Sequence, residues 1–151
     1  MKTRFEDSLL YQIHQTSRCF DMLFEQFFHE LNIGISSFEH MVLIIIQDIK
    51  KCCMRDIAKI TLKDRANIGK ITKALEEKGL ININLDTKNN RPVKTLTLTK
   101  AGKKLNEKIE KIILPLIEKI HSEISQEKIE NLKTDLNDLR KIVTKAVNIN
   151  I

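Results

Sequence analysis

Long uncharged stretches are missing from this 151-residue chain. Its longest apolar run, residues 41–46, falls well short of the ~18 residues of a membrane span. The run is also too short for the core of a secretory leader, and acidic residues precede it. A soluble cytoplasmic protein is the expectation. Two prolines and four glycines argue against long disordered linkers. Three cysteines, an odd number, supply no disulfide framework and suit a reducing compartment. No repeat of solenoid length is visible. The chain also lacks a glycine-rich phosphate loop, a nucleophile elbow and paired carboxylates with an evident site, so an enzyme is not expected. His14, His29, His40 and His121 form no compact ligand motif. Neither a metal nor a cofactor is therefore expected.

Aromatic residues are absent beyond position 38. Phe5, Tyr11, Phe20, Phe24, Phe27, Phe28 and Phe38 are confined to the first quarter, which points to a helix–helix core there. Acidic residues are scarce in the middle. Residues 50–104 hold 15 Lys/Arg against 5 Asp/Glu, a net +10. Residues 1–49 hold 3 against 7, a net −4, and residues 105–151 hold 8 of each sign. The excess positive charge thus lies on one module, as expected of a phosphate-binding surface.

The order of elements can be read from hydrophobic periodicity. Phe5, Leu9, Ile13, Phe20, Phe24, Phe27 and Leu31 recur near 3.6 residues, giving one long helix over 5–31 that stops at Asn32-Ile33-Gly34. Ser36 and Glu39 have capping-box spacing, opening a helix so apolar that burial on all sides is expected. After a connector at 50–53, a short helix over about 55–61 should bury Ile57, Ala58 and Ile60. Asp64 is the N-cap of a further helix to Lys78, with Gly79 at the left-handed position beyond it. Residues 80–86 and 93–98 alternate as two hairpin strands, with a polar tip at 88–92. Thr99 caps a long helix in which Pro115 predicts a bend or break. Ser125 caps the last helix, whose stripe Ile129, Leu132, Leu136, Leu139, Val143 and Ala146 alternates spacings of three and four.

The fold class is therefore mostly α (α+β): a winged helix-turn-helix over residues 36–102, flanked by a helical dimerisation region of residues 1–35 and 103–151. On the helix that Asp64 opens, Ile68, Ile71 and Leu75 mark the buried side. Ala66, Gly69, Lys70, Lys73 and Glu77 lie roughly opposite, with Arg65 and Asn67 beside the N-terminal end. Arginine can pair with guanine and asparagine with adenine in the major groove, while the small Ala66 and Gly69 permit close approach. Lys70 and Lys73 suit phosphate. Lys88, Asn89, Asn90 and Arg91 at the hairpin tip extend this surface, with Arg91 directed to the minor groove.

At this point the sequence resembles the MarR family of transcriptional regulators, over residues 5–147. The resemblance rests on Leu43, on Asp56-Ile57-Ala58, on Arg65-Ala66-Asn67-Ile68, on Leu75-Glu76-Glu77-Lys78-Gly79-Leu80-Ile81, and on Leu98-Thr99-Lys100-Ala101-Gly102 beyond the wing. Wings of that family commonly carry Asp-x-Arg. Here the same register holds Asn90 and Pro92, with Arg91 displaced by one place. The resemblance implies a homodimer that binds double-stranded DNA as a repressor at pseudo-palindromic operators. It further implies relief by a small aromatic effector or by cysteine oxidation; metal, a third switch in the family, is not expected here because the histidines form no ligand motif. Candidate sensors are Cys52 and Cys53, beside lysines and a helix N-terminus that would favour thiolate, and Cys19 in the first helix. The resemblance also implies an effector pocket between the first helix and the DNA-binding lobe, with Tyr11, His14 and Arg18 as its candidate contacts. The alternative reading is a protein-interaction module on a winged-helix scaffold that does not bind DNA.

Overall fold

The computed structural model describes residues 4–88 and 90–146. The wing-tip candidates Asn89 and the Lys88 side chain, and the end of the resemblance at Val147, lie outside the described residues. The elements run α1 (Leu9–Glu30), α2 (Ser37–Asp48), α3 (Met54–Thr61), α4 (Arg65–Glu77), β1 (Ile81–Lys88), β2 (Arg91–Leu98), α5 (Lys100–Ser122) and α6 (Gln126–Ala146).

Caps set most of these boundaries. The α1 helix starts later than periodicity predicts, because Ser8 accepts the Tyr11 amide at 3.1 Å and holds residues 4–7 as a turn. Ser36 and Glu39 form the expected capping box on α2. Asp64 caps α4 by accepting the Asn67 amide at 2.8 Å. At its other end the Leu80 amide reaches the Leu75 carbonyl and the Gly79 amide reaches Glu76, a Schellman closure that puts Gly79 at φ +69°. Pro115 neither ends nor splits α5, which continues to Ser122. Lys111, whose carbonyl loses its usual amide partner, is exposed, so water can satisfy it.

The core gathers around α2. Val42 and Leu43 meet Ile57 of α3, Ile68 and Leu75 of α4, Ile81 and Leu96 of the hairpin and Ile109 of α5, all essentially inaccessible to water. Two sequence expectations are corrected here, and one buried residue is added. The α2 helix is not buried all round, because Met41 and Ile44 face an open cavity. Ile60 is exposed, since it lies one residue before the end of α3 and off the covered Ile57 side. Thr72 joins the buried face of α4, its hydroxyl satisfied by the Ile68 carbonyl at 2.9 Å.

The signature residues on either side of the wing meet in space. The Thr99 hydroxyl donates to the Gly79 carbonyl at 2.7 Å and accepts the Gly102 amide at 3.0 Å, while the Thr99 amide reaches the Leu80 carbonyl at 3.0 Å. A Cβ on Gly102 would overlap that same Leu80 carbonyl oxygen. The hairpin's two ends are thereby locked to the end of α4 and the start of α5.

Candidate nucleic-acid interface

The α4 helix is amphipathic in the sense that matters for a groove. Its Ile68, Thr72 and Leu75 side is buried, whereas Arg65, Ala66, Lys70 and Lys73 are exposed and Asn67 is half-buried. Lys73 lies 3.9 Å from Glu77 on the same exposed face, too long and too solvated to hold it firmly. A Cβ added at Gly69 would meet nothing within 4 Å, so nothing in the chain's own packing demands glycine there.

Beside α4 stands the wing. Its antiparallel register runs from Ile81↔Leu98 to Lys88↔Arg91. The strands therefore extend two residues further on each side than alternation suggests, and the tip is correspondingly tight. Asn90 takes φ +57°, a left-handed conformation that asparagine tolerates better than most residues. Asn90 and Arg91 are both exposed. The wing is also held near its base: the Leu96 amide donates to the Cys52 carbonyl at 2.8 Å, and Cys53 bridges to Thr95. Nothing in the sequence pattern flagged this isolated bridge.

That pairing decides where the cysteines lie. Cys52 and Cys53 do not stand in an exposed connector; they are buried at 0% and 3% exposure. Cys53 is the N-cap residue of α3, and its thiol donates to the Asp56 carboxylate at 3.0 Å. Cys19, on α1, is exposed.

A cavity of about 500 Å³ opens between α1, α2 and α5. Phe24, Phe28, Phe38, Met41, Ile44, Ile113 and Leu114 make its walls, with Asp21, Glu25, Lys63 and Glu110 among its polar lining. Tyr11, His14 and Arg18 do not line it. They lie up to ten residues before Asp21, about 15 Å along the helix; Tyr11 stacks edge-on with Phe5, and His14 and Arg18 face solvent. The sequence reading missed His40, which is buried in the cavity wall against Phe28, with ring centroids 5.6 Å apart. Burial pushes its imidazole below the ordinary value. Next to it, burial pushes the Glu39 carboxyl up. The Lys78 ammonium at 2.8 Å and the Ser36 bonds outweigh that effect and leave it below the usual range. Among the described residues no group of His, Cys, Asp and Glu could hold a metal ion, and no helix is long and apolar enough to cross a membrane.

No protein-family profile and no curated sequence matches the chain. Solved structures do. A MarR/EmrR family transcriptional regulator from Acinetobacter sp. ADP1 superposes with a TM-score of 0.85 at 20% identity, over 95% of this chain and 99% of that one. MepR of S. aureus in a DNA complex gives 0.78 at 22% identity, over 91% and 98%. A mutant MarR from E. coli complexed with operator DNA gives 0.77 at 17%, over 91% and 99%. With an exposed basic helix beside a two-stranded wing, this chain has the winged helix-turn-helix fold of the MarR-type regulators.

Proposed function

We propose that the protein is a sequence-specific, double-stranded-DNA-binding transcriptional regulator, a repressor acting as a homodimer in the cytoplasm, and that it is a binding protein rather than an enzyme. The observation that carries this reading is the exposed basic face of α4, opposite a fully buried one and flanked by the wing. Two neighbours of the same fold are complexes with DNA, one of them with operator DNA. In this reading Arg65 and Asn67 meet base edges, Lys70 and Lys73 meet phosphate, and Asn90 and Arg91 reach the adjacent groove.

Dimerisation through residues 1–35 and 103–151 has a separate support. Leu9, Leu10 and Phe20 of α1 and Leu132, Leu136 and Val143 of α6 are exposed in the single chain, at 38–69%. An apolar surface of that extent, distributed over the two terminal helices, favours a second copy. The cavity beside His40 suits a small aromatic effector through its phenylalanine walls.

Gel-shift titration tests the groove assignment. Lys70→Ala and Lys73→Ala should weaken binding to every duplex and lower the salt slope by about one each. Arg65→Ala should also relax sequence preference, by about 1–3 kcal/mol at the base it reads. Unchanged affinity in all three variants would contradict the assignment.

A further inference from the structure

The wing is a long arm with its clamp near the base. The backbone holds it at Thr95 and Leu96, through Cys53 and Cys52. Arg91 lies five residues beyond Leu96, about 17 Å of strand, and an isolated two-stranded hairpin is marginal in water. An unsupported arm of that length would sample many tip positions.

One side-chain contact grips the arm further out. Asp86, which pairs with Val93, holds the Lys51 ammonium at 3.1 Å through one carboxylate oxygen and 3.4 Å through the other. The first of its carboxylate's bonds is to the Thr87 amide at 2.7 Å, so the group is oriented before it meets the lysine. Lys51 itself adopts φ +55°, a left-handed backbone that a non-glycine residue takes at a cost. That conformation sits in the turn that leads into Cys52, the residue whose carbonyl clamps Leu96. Lys51 and Asp86 thus tie the α2–α3 connector to the outer half of the hairpin, beyond the backbone clamp.

We infer that Lys51 and Asp86 form a strut that sets the angle of the wing against α4 and so places Arg91 for the groove. The inference rests on the DNA-binding reading. Asp86 is then a positioning residue of unusual sign: an anion on a basic surface whose presence strengthens binding to the correct sequence. Lys51 is committed to Asp86 rather than to phosphate.

The sign makes the test decisive. Asp86→Asn keeps an acceptor for the Thr87 amide and removes the charge. It should lower affinity for a selected operator about two- to fivefold per wing, the range a half-exposed ion pair supports. Affinity for random duplex should hold or rise, because one anion fewer faces the phosphates. Exchanging the charges, Lys51→Asp with Asp86→Lys, keeps the net charge and should recover operator affinity relative to either change alone. Amide exchange in the free protein should quicken at Val93 and Lys94 in Asp86→Asn, with the core amides of α2 unchanged. Operator and random-duplex affinity rising together in Asp86→Asn would overturn the strut, leaving Asp86 a mere repulsive neighbour. Wild-type protein without salt-dependent duplex affinity would instead overturn the DNA-binding reading, and this role with it.

Discussion

Gly69 sets stability against function at a single residue. It lies in the interior of α4, where glycine costs about 0.5–1 kcal/mol relative to alanine. A methyl there would meet no atom of the chain. Gly69→Ala should therefore raise the thermal midpoint while lowering duplex affinity, since the methyl can only obstruct what approaches from outside. Melting and gel-shift measurements on the same sample check both signs; higher stability with unchanged affinity would remove Gly69 from the interface. A second residue-scale effect is acid sensitivity in two windows. The His40 imidazole has a folded value below the ordinary 6.5, so the unfolded chain takes up its proton first and stability falls as pH drops through that ordinary value. Glu39 has a folded value below 4.5, so its contribution is full above that value and is lost as pH falls through the lower, folded one. Thermal melts from about pH 7.5 to 5.5 should show the first loss in wild type and not in His40→Gln, on the ordinary histidine range.

At the scale of elements, the junction of α4, the wing and α5 explains why its sequence signature was readable at all. Gly79 and Leu80 lie on the opposite side of the wing from Thr99 and Gly102 in the chain, yet three hydrogen bonds join them in one knot. Gly102→Ala should force the Leu80 carbonyl aside and destabilise the protein by about 1–3 kcal/mol, the usual cost of overpacking. A denaturant midpoint that does not move would show that the knot has room to give. Local signals of this kind, a cap, a left-handed glycine or an alternating strand, are legible because they act within a few residues. What was not legible depends on contacts across the fold. Cys52 and Cys53 look like loop residues until Thr95 and Leu96 pair with them. The cavity falls at the second half of α1 rather than at Tyr11, His14 and Arg18, because helix crossing fixes that height and periodicity does not. Pro115 predicts a bend or break in α5, but whether a helix ends at proline depends on what satisfies the freed carbonyl.

Across the whole molecule, charge and packing divide the labour. The net-negative residues 1–49 and the charge-balanced residues 105–151 include the exposed apolar side chains of α1 and α6, while the +10 middle segment carries the basic face. That division suits a two-fold dimer that offers two copies of α4 to one side of a duplex. Its most direct test is selection from random duplexes followed by titration of the enriched sequence against salt. A pseudo-palindrome with half-sites about one helical turn, roughly 34–36 Å, apart should be enriched. Two chains should bind per site, with affinity that falls steeply with salt. Failure to enrich any sequence, with duplex affinity indifferent to salt, would contradict it.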